Sequence, residues 1–186
     1  MKLLQEIPNN GNVKTFNKRY PLGQLNQIFR NNGDGKFENI SNESGDTFRN
    51  YYVSRGVSFG DIDNDGDTDL LVINNNGKAE LLQNNLGNHN NWIGLKLLGN
   101  TTKRDMLGSK VEVFINKKTS LRRRVKTDGS YSSARDPRVL VGLGKNEKIE
   151  KVRVTWIGGK TEEWKNFPIN SYSTLTKGTS NIKVKR

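Results

Sequence analysis

Five aspartates fall within nine residues of this sequence, in the stretch Asp61-Ile-Asp-Asn-Asp-Gly-Asp-Thr-Asp69. Carboxylates this close together repel one another unless a cation neutralises them. At positions 1, 3, 5 and 9 of the stretch they can turn toward one centre, while Gly66 permits a sharp turn and the carbonyl of Asp67 can supply another oxygen. Hard oxygen ligands in this number suit calcium better than magnesium, which demands stricter geometry and keeps more water. The sequence therefore predicts a Ca²⁺ site formed by Asp61, Asp63, Asp65, Asp67 and Asp69.

The elements around this stretch distinguish it from an EF-hand. Position 12 is Val72, where an EF-hand places a bidentate glutamate. The residues that precede and follow it, Val57-Ser-Phe59 and Leu70-Leu-Val-Ile73, have strand character, whereas helices flank an EF-hand loop. We therefore expect a loop between two strands, with its aspartates committed to a structural ion rather than to catalysis.

Residues able to catalyse a reaction are scarce elsewhere in the chain. The absence of cysteine excludes thiolate nucleophiles and thiolate metal sites, and the single histidine, His89, argues against a histidine-rich zinc or iron site. Glu162 and Glu163 adjoin on a predicted strand and so face opposite ways, which does not suit the paired carboxylates of a glycosidase. We predict no catalytic residues and a protein that is not an enzyme.

The formal net charge of +12 is concentrated in one part of the sequence. Its densest positive stretch runs from Lys103 to Lys126, and within it Lys103, Arg104, Arg122 and Arg124 are the candidates for binding an acidic polysaccharide or another polyanion. A charged edge strand that resists aggregation explains the same residues, and we favour that interpretation. Aromatic stacking partners are scarce nearby, which argues against nucleic acid.

Two further sets of residues could contact a ligand. Residues 128–136 are predicted to form a polar loop that could hold one. The three tryptophans, Trp92, Trp156 and Trp164, could stack on sugar rings, although such residues more often fill a core.

The elements that position these residues are predicted to be short β-strands. No segment carries a sustained 3.6-residue apolar stripe, and Asn-Gly and Asp-Gly turns separate the strand candidates of the first half. Those candidates are Gln27–Arg30, Lys36–Ile40, Gly56–Phe59, Thr68–Ile73 and Ala79–Gln83.

The second half has longer strands with strict alternation. One face carries Ile93, Leu95 and Leu97, and the same pattern recurs at Val111, Val113 and Ile115 and at Val152, Val154 and Trp156. A period of two is what a sheet with one buried face requires. The fold class is therefore all-β, and the second half is predicted to be a β-sandwich or small barrel.

The predicted organisation has four parts. Residues 1–20 form a polar N-terminal segment, 21–90 a repeat region, 91–178 a β domain and 179–186 a basic C-terminal tail. No apolar run approaches the length that a transmembrane segment needs.

The stretch Val57-Ser-Phe-Gly-Asp-Ile-Asp-Asn-Asp-Gly-Asp-Thr-Asp-Leu-Leu-Val72 resembles the FG-GAP/VCBS repeat, the blade motif of integrin-type β-propellers. Asn26-Gln-Ile-Phe-Arg-Asn-Asn-Gly-Asp-Gly-Lys-Phe37 resembles the closing half of the preceding repeat. The resemblance implies partial β-propeller blades before the second half, made of one full repeat and the tail of another, with a calcium loop between adjacent strands of a blade.

The second half resembles the ASPIC/UnbV domain, which follows such repeats in proteins similar to cartilage acidic protein. The similarity is carried by Asn91-Trp-Ile-Gly-Leu-Lys-Leu-Leu-Gly99, Lys103-Arg-Asp-Met-Leu-Gly-Ser-Lys-Val-Glu-Val113, Asp128-Gly-Ser-Tyr-Ser-Ser133, Val141-Gly-Leu-Gly144 and Val152-Arg-Val-Thr-Trp-Ile-Gly-Gly159. The last segment departs from the family pattern, because Ile157 stands where the family usually has proline.

These resemblances imply a non-catalytic, calcium-stabilised extracellular module for binding or adhesion, with a protein or glycan ligand that the sequence does not identify. Two other functions stay open: an enzyme or accessory domain that acts on polysaccharide or secondary metabolites, and a polyanion-binding protein.

The resemblances also imply a longer protein. A propeller needs about four blades to close, so we expect this chain to be the C-terminal part of a longer propeller protein, with the remaining blades upstream or in another chain. We expect the protein to be secreted, with a signal peptide in the missing N-terminal part; a periplasmic or cell-surface location is the alternative.

Overall fold

The computed structural model describes residues 4–6 and 22–181, and over these residues the protein is all-β, as predicted. The predicted N-terminal segment lies outside the described residues apart from one strand, and the predicted basic tail is described only as far as residue 181. The strands are β1 (Leu4–Glu6), β2 (Gln24–Leu25), β3 (Phe29–Asn31), β4 (Phe37–Asn39), β5 (Tyr51–Tyr52), β6 (Ser54–Gly60), β7 (Asp69–Asn74), β8 (Glu80–Asn84), β9 (Asn91–Leu98), β10 (Lys110–Phe114), β11 (Ser120–Arg124), β12 (Val139–Gly144), β13 (Lys151–Thr155), β14 (Thr161–Trp164) and β15 (Tyr172–Thr176). Helix is confined, in this part of the chain, to the short 3₁₀ turns Ser41–Glu43, Asp46–Arg49 and Gly87–His89.

The described chain divides into two compact units. The first contains the described residues up to Gly60 together with Thr68–Leu86 and Gly129–Ala134. The second contains Asp61–Asp67, Gly87–Asp128 and the described residues from Arg135 onward. Two short segments thus belong to a different unit from their neighbours in the sequence. The predicted domain boundary at residues 90 and 91 stays a prediction.

The first unit is built on a four-stranded antiparallel sheet in the order β1-β8-β7-β6. Two small hairpin-like pairs accompany it, β2 with β5 and β3 with β4. The core of this unit is formed by Phe48, Val72 and Leu82, all less than 9% exposed. All five predicted strands of this half are present, with their ends displaced by one or two residues. The Ile28 N–H bonds the Ser41 hydroxyl, so a side chain satisfies this backbone donor just before β3.

Residues 129–134 cover the free edge of β6 within the first unit. The Val57 N–H donates to the Ser130 hydroxyl at 3.2 Å, and the Ser58 hydroxyl donates to the Ala134 carbonyl. At Gly56 a Cβ atom would lie 2.4 Å from the Tyr131 carbonyl oxygen, so the two backbones approach closely. Covering an edge strand satisfies its polar groups and blocks unwanted pairing. This segment, predicted as part of a ligand-holding loop, therefore has a packing role in the structure.

The second unit is a β-sandwich, because its two sheets share one core and neither of them closes into a barrel. One sheet has the order β11-β10-β13-β14 and is antiparallel; the other has the order β12-β9-β15, in which β9 and β15 run parallel. The predicted alternation is confirmed, since the apolar side chains of β9, β10 and β13 point into one shared core. The core consists of Ile93, Leu95, Leu97, Val111, Val113, Val125, Val139, Val141, Leu143, Val152, Val154, Trp156, Trp164 and Leu175.

The three tryptophans are all buried, at 5% exposure for Trp92, 1% for Trp156 and 6% for Trp164. Trp156 and Trp164 meet edge to face with their ring centroids 6.1 Å apart. The Trp156 indole N–H donates to Glu162 Oε2 at 3.0 Å. Buried rings have no exposed face that could stack on a sugar. The three tryptophans therefore fill the interior of the fold, the interpretation that the sequence favoured.

Candidate metal centre

The aspartate loop, Asp61–Asp67, is folded around the carboxylate of its first residue. Asp61 Oδ1 accepts a hydrogen bond from the Asp65 N–H at 3.1 Å, and Oδ2 accepts one from the Gly66 N–H at 3.0 Å. Asn64 and Gly66 have φ values of 62° and 96°, in the left-handed region. Asparagine and glycine adopt this region at the lowest cost. The presence of asparagine and glycine at these two positions therefore favours the tight turn of the loop.

The carboxylates of Asp61, Asp63 and Asp65 converge. Oxygen atoms from the three side chains lie within 4.8 Å of one another. Calcium binds oxygen at about 2.3–2.6 Å, so ligands on one ion are at most about 5 Å apart. Asp61 is buried, Asp65 is half-buried and Asp63 is exposed. The donor set consists of oxygen alone and fits a hard divalent cation with an open, hydrated side.

The other two predicted ligands make different contacts. Asp67 is 4% exposed, and its Oδ2 accepts a hydrogen bond from the Asn88 N–H at 3.3 Å. Asp65 Oδ2 accepts another from Asn88 Nδ2 at 2.5 Å, so one asparagine ties two loop residues together. Asp69, which belongs to the first unit, accepts a hydrogen bond from the Asn84 N–H at 2.9 Å. The assignment of all five aspartates as calcium ligands stays a prediction.

An aromatic stack supports the loop within the second unit. A Cβ atom at Gly66 would lie 2.0 Å from the Trp92 ring, so the loop backbone rests directly against the indole. Trp92 in turn meets the Tyr172 ring edge to face, with centroids 5.2 Å apart. The Arg138 guanidinium lies over the Tyr172 ring, 4.1 Å from the ring centroid. We call Trp92, Arg138 and Tyr172 the loop platform.

Two members of the loop platform also bond the loop directly. The Tyr172 hydroxyl donates to Asp61 Oδ2 at 2.6 Å. Arg138 donates from Nη2 to the Asp61 carbonyl at 2.7 Å and from Nη1 to Asn64 Oδ1 at 2.5 Å. The third hydrogen bond of Arg138, from Nε to Asp136 Oδ2 at 2.6 Å, fixes the orientation of its guanidinium group. Asp61 is therefore held through both its side chain and its backbone.

Sequence reasoning did not identify the loop platform as part of the site. One signal was present: Gly94 interrupts the alternating strand β9, and glycine inside a strand marks a close approach. A Cβ atom there would lie 2.1 Å from the Tyr172 ring, whose strand β15 pairs Tyr172 with Gly94. Arg138 had no comparable signal, because a lone arginine after a proline is unremarkable in sequence.

The predicted polyanion-binding residues lie on two elements. Arg122 and Arg124 are exposed on β11, which is an edge strand of its sheet. Arg122 is paired with Glu112 at 2.9 Å, which offsets part of its charge. Lys103 and Arg104 lie in the loop between β9 and β10, where Lys103 has a φ of 53°. Binding of a polyanion by these residues stays a prediction.

Comparison with protein families accounts for most of the sequence. A model described as an FG-GAP-like repeat matches residues 10–72, and one described as ASPIC and UnbV matches residues 99–182. The chain thus contains an FG-GAP-like repeat followed, after an unmatched stretch, by an ASPIC and UnbV domain. No curated protein matches it.

The FG-GAP-like match covers β2 to β6 and the start of β7, all in the first unit. Such repeats form the blades of β-propellers, and a blade is a four-stranded antiparallel sheet like β1-β8-β7-β6. They are typical of extracellular and cell-surface proteins, and they often bind calcium. FG-GAP and ASPIC/UnbV domains are generally non-catalytic. Among the described residues, no helix is both long enough and apolar enough to cross a lipid bilayer.

Residues from both family matches contact one another at the candidate metal centre. The aspartate loop lies within the FG-GAP-like match, whereas Arg138 and Tyr172 lie within the ASPIC and UnbV match. The hydrogen bonds from these two residues to Asp61 are nevertheless internal to one compact unit. Residues of the ASPIC and UnbV match therefore hydrogen-bond and stabilise a loop that lies within the FG-GAP-like match.

Proposed function

We propose that this protein is a non-catalytic extracellular module, stabilised by calcium, that binds a protein or glycan partner. The observation that carries the proposal is the convergence of Asp61, Asp63 and Asp65 in a loop that an FG-GAP-like repeat supplies. The three carboxylates would bind Ca²⁺, with the Asp67 carbonyl as a further ligand that the sequence predicts. The ion supplies positive charge that neutralises the clustered aspartates and closes the loop.

Calcium would act on folding rather than on chemistry. An ion that binds only the folded state stabilises it by about 2.7 kcal/mol when its concentration is 100 times the Kd. Extracellular calcium modules commonly have dissociation constants of about 10⁻⁴–10⁻³ M. A partly exposed site with an open side, as at Asp63, suits an affinity in this range. An extracellular location would keep such a site largely filled.

The proposal is tested by calcium titration of the full chain. We expect isothermal titration calorimetry to show binding, and the melting temperature to be higher in calcium than in chelator. Asp63→Asn should weaken binding, because an amide oxygen carries less charge than a carboxylate. Glu147→Gln removes one charge from an exposed residue outside the loop and serves as the matched control. An unchanged melting temperature in calcium, with no binding heat, would refute the calcium part of the proposal.

The first unit offers a surface for a neighbouring blade. Leu22, Phe29 and Phe37 are large apolar side chains of this unit that are exposed at 71%, 52% and 65%, and exposed apolar side chains that form a patch often mark interaction sites. We propose that another FG-GAP blade, from a longer protein or another chain, packs against this unit. The substitutions Phe29→Ser and Phe37→Ser should then raise the fraction of monomeric protein in size-exclusion chromatography. An unchanged elution profile would argue against an apolar docking surface.

The cavity of the first unit gives little support to the enzyme alternative. It measures about 420 Å³ and is lined mainly by apolar side chains such as Ile28, Phe48 and Leu82. Neither a carboxylate nor a histidine is among the residues that line it. General acid–base catalysis needs such groups within reach of a substrate. The cavity therefore does not favour a hydrolytic function over binding.

A further inference from the structure

We propose that Arg138 and Tyr172 are positioning residues for calcium, which couple ion binding at the aspartate loop to folding of the sandwich that carries them. The inference rests on the proposed calcium function and deepens it. It assigns part of the metal centre to residues 77 and 111 positions away from Asp61 in the sequence. It also predicts that the ASPIC and UnbV domain, rather than the FG-GAP-like repeat alone, sets the affinity.

Tyr172 determines how the Asp61 carboxylate is oriented. Asp61 Oδ2 accepts from both the Tyr172 hydroxyl and the Gly66 N–H, so one of its lone-pair directions is fixed from the sandwich and another from the loop. The Tyr172 ring is held by its neighbours, because the Gly94 backbone lies close against it and the Trp92 ring meets it edge to face. A ligand held in its binding orientation before the ion arrives loses less entropy on binding.

Arg138 determines the path of the loop backbone. Its guanidinium reaches the Asp61 carbonyl, the Asn64 side chain and Asp136 at once, with three different nitrogen atoms. The planar fork of arginine can serve three acceptors in fixed directions, whereas the single ammonium group of lysine cannot reproduce that geometry. Asn64 is the loop residue with the positive φ of 62°, so Arg138 stabilises the turn at its most strained non-glycine position.

Because Arg138 is charged, the direction in which its removal changes the calcium affinity tests the inference. A cation beside a calcium site repels the ion, so on charge alone removal of Arg138 should strengthen binding. Removal of a residue that positions the loop should weaken binding instead. The two effects oppose each other, and the measured direction shows which dominates. We expect the loss of positioning to dominate, because Asp136 already offsets part of the Arg138 charge.

Thermodynamic reciprocity gives a second consequence. If the folded sandwich improves calcium binding at the loop, calcium must stabilise the sandwich by the same factor. Amides of the sandwich core strands β9 and β15 should therefore exchange with solvent more slowly when calcium is added. An ion that served only the blade would leave these amides unchanged.

The experiment measures calcium affinity and melting temperature for full-length variants. We expect Tyr172→Phe and Arg138→Met each to raise the calcium Kd roughly tenfold, the effect of losing one or two hydrogen bonds to a charged or strained loop. Arg138→Lys should not restore the affinity, although it restores the charge. Tyr131→Phe and Arg123→Met make the same chemical changes at exposed residues and should leave the Kd unchanged.

Several outcomes overturn the inference. A Kd that stays unchanged in Tyr172→Phe, with only the calcium-free melting temperature lowered, would show that the hydroxyl is structural and does not position the ion. Tighter binding in Arg138→Met would show that repulsion outweighs positioning. If Arg138→Met does not fold, Tyr172→Phe and hydrogen exchange of the unaltered protein with and without calcium still decide the question. Absence of calcium binding in the unaltered protein would refute the proposed function itself, which keeps the two failures distinguishable.

Discussion

The hydroxyl of Tyr172 lies 2.6 Å from the Asp61 carboxylate, although 111 residues separate the two in the chain. Burial, and then the hydrogen bond to Asp61, raise the pKa of Tyr172 well above its usual value. The hydroxyl therefore keeps its proton and remains a donor over the whole pH range in which the protein is handled. Asp61 consequently presents the same orientation to an ion at neutral and at mildly alkaline pH.

Gly66→Ala should destabilise the protein and abolish calcium binding. The new methyl group would lie 2.0 Å from the Trp92 ring, at a residue whose φ is already +96°. Gly33→Ala is the matched control, because Gly33 has a φ of +85° but no atom within 4 Å of the added Cβ. We expect the control to cost about 1–2 kcal/mol through backbone strain alone, and Gly66→Ala to cost clearly more. Urea unfolding measures both, and equal losses would show that the contact with Trp92 is unimportant.

Gly94→Ala should weaken calcium binding from a position outside the loop. The added methyl group would lie 2.1 Å from the Tyr172 ring and must displace it, together with its hydroxyl. Gly142→Ala, on the adjacent strand β12 and with open space around its Cβ, should leave the calcium Kd unchanged. Calorimetric titration of both variants checks the pair. An unchanged calcium Kd in Gly94→Ala would show that the position of the Tyr172 ring does not affect the ion affinity.

Asp65→Ala and Asp67→Ala should differ in their dependence on calcium. Asp65 belongs to the convergent carboxylates, so its loss should remove the difference in melting temperature between calcium and chelator. The Asp67 side chain bonds the Asn88 backbone instead, so its loss should lower both melting temperatures and preserve much of their difference. Differential scanning calorimetry in the two buffers provides the four values. Loss of the calcium shift in Asp67→Ala would make its carboxylate a direct ligand.

Acid should destabilise the sandwich in part through Glu162. Burial alone would raise the pKa of this carboxyl, but hydrogen bonds from Lys160, the Gly178 N–H and the Trp156 indole lower it below the ordinary value of 4.5. A depressed folded-state pKa contributes stability above the unfolded-state pKa, and that contribution is lost as the pH falls through the folded-state pKa. The free energy of unfolding should therefore decline below about pH 4.5.

Glu162→Gln isolates this contribution. The amide oxygen can still accept from Trp156, but it does not titrate, so the free energy of unfolding should fall less steeply with acid than in the unaltered protein. Glu147→Gln, at an exposed residue, should leave the slope unchanged. Denaturant unfolding across the acid range measures both slopes. An unaltered slope in Glu162→Gln would assign the acid sensitivity to other carboxylates.

The sequence by itself determined the features that local chemistry encodes. Alternation of apolar residues in β9, β10 and β13 specifies one buried face, because successive side chains of a strand point to opposite sides. The aspartates of the loop, with asparagine and glycine at its turn, likewise specify a tight oxygen-rich loop before any tertiary contact is known. Both features repeat or cluster within a few residues, so they can be recognised in one sequence.

Only the tertiary structure decided what surrounds those features. Closure into a sandwich instead of a barrel depends on how separate sheets share a core, and no residue pattern within one strand records it. Residues 129–134 join the first unit and the aspartate loop joins the second, because distant segments pack on them. The hydrogen bonds from Arg138 and Tyr172 to Asp61 span most of the chain, and such long-range contacts leave no local periodicity. For that physical reason the sequence could indicate the clustered carboxylates of the loop but not the residues that hold them in place.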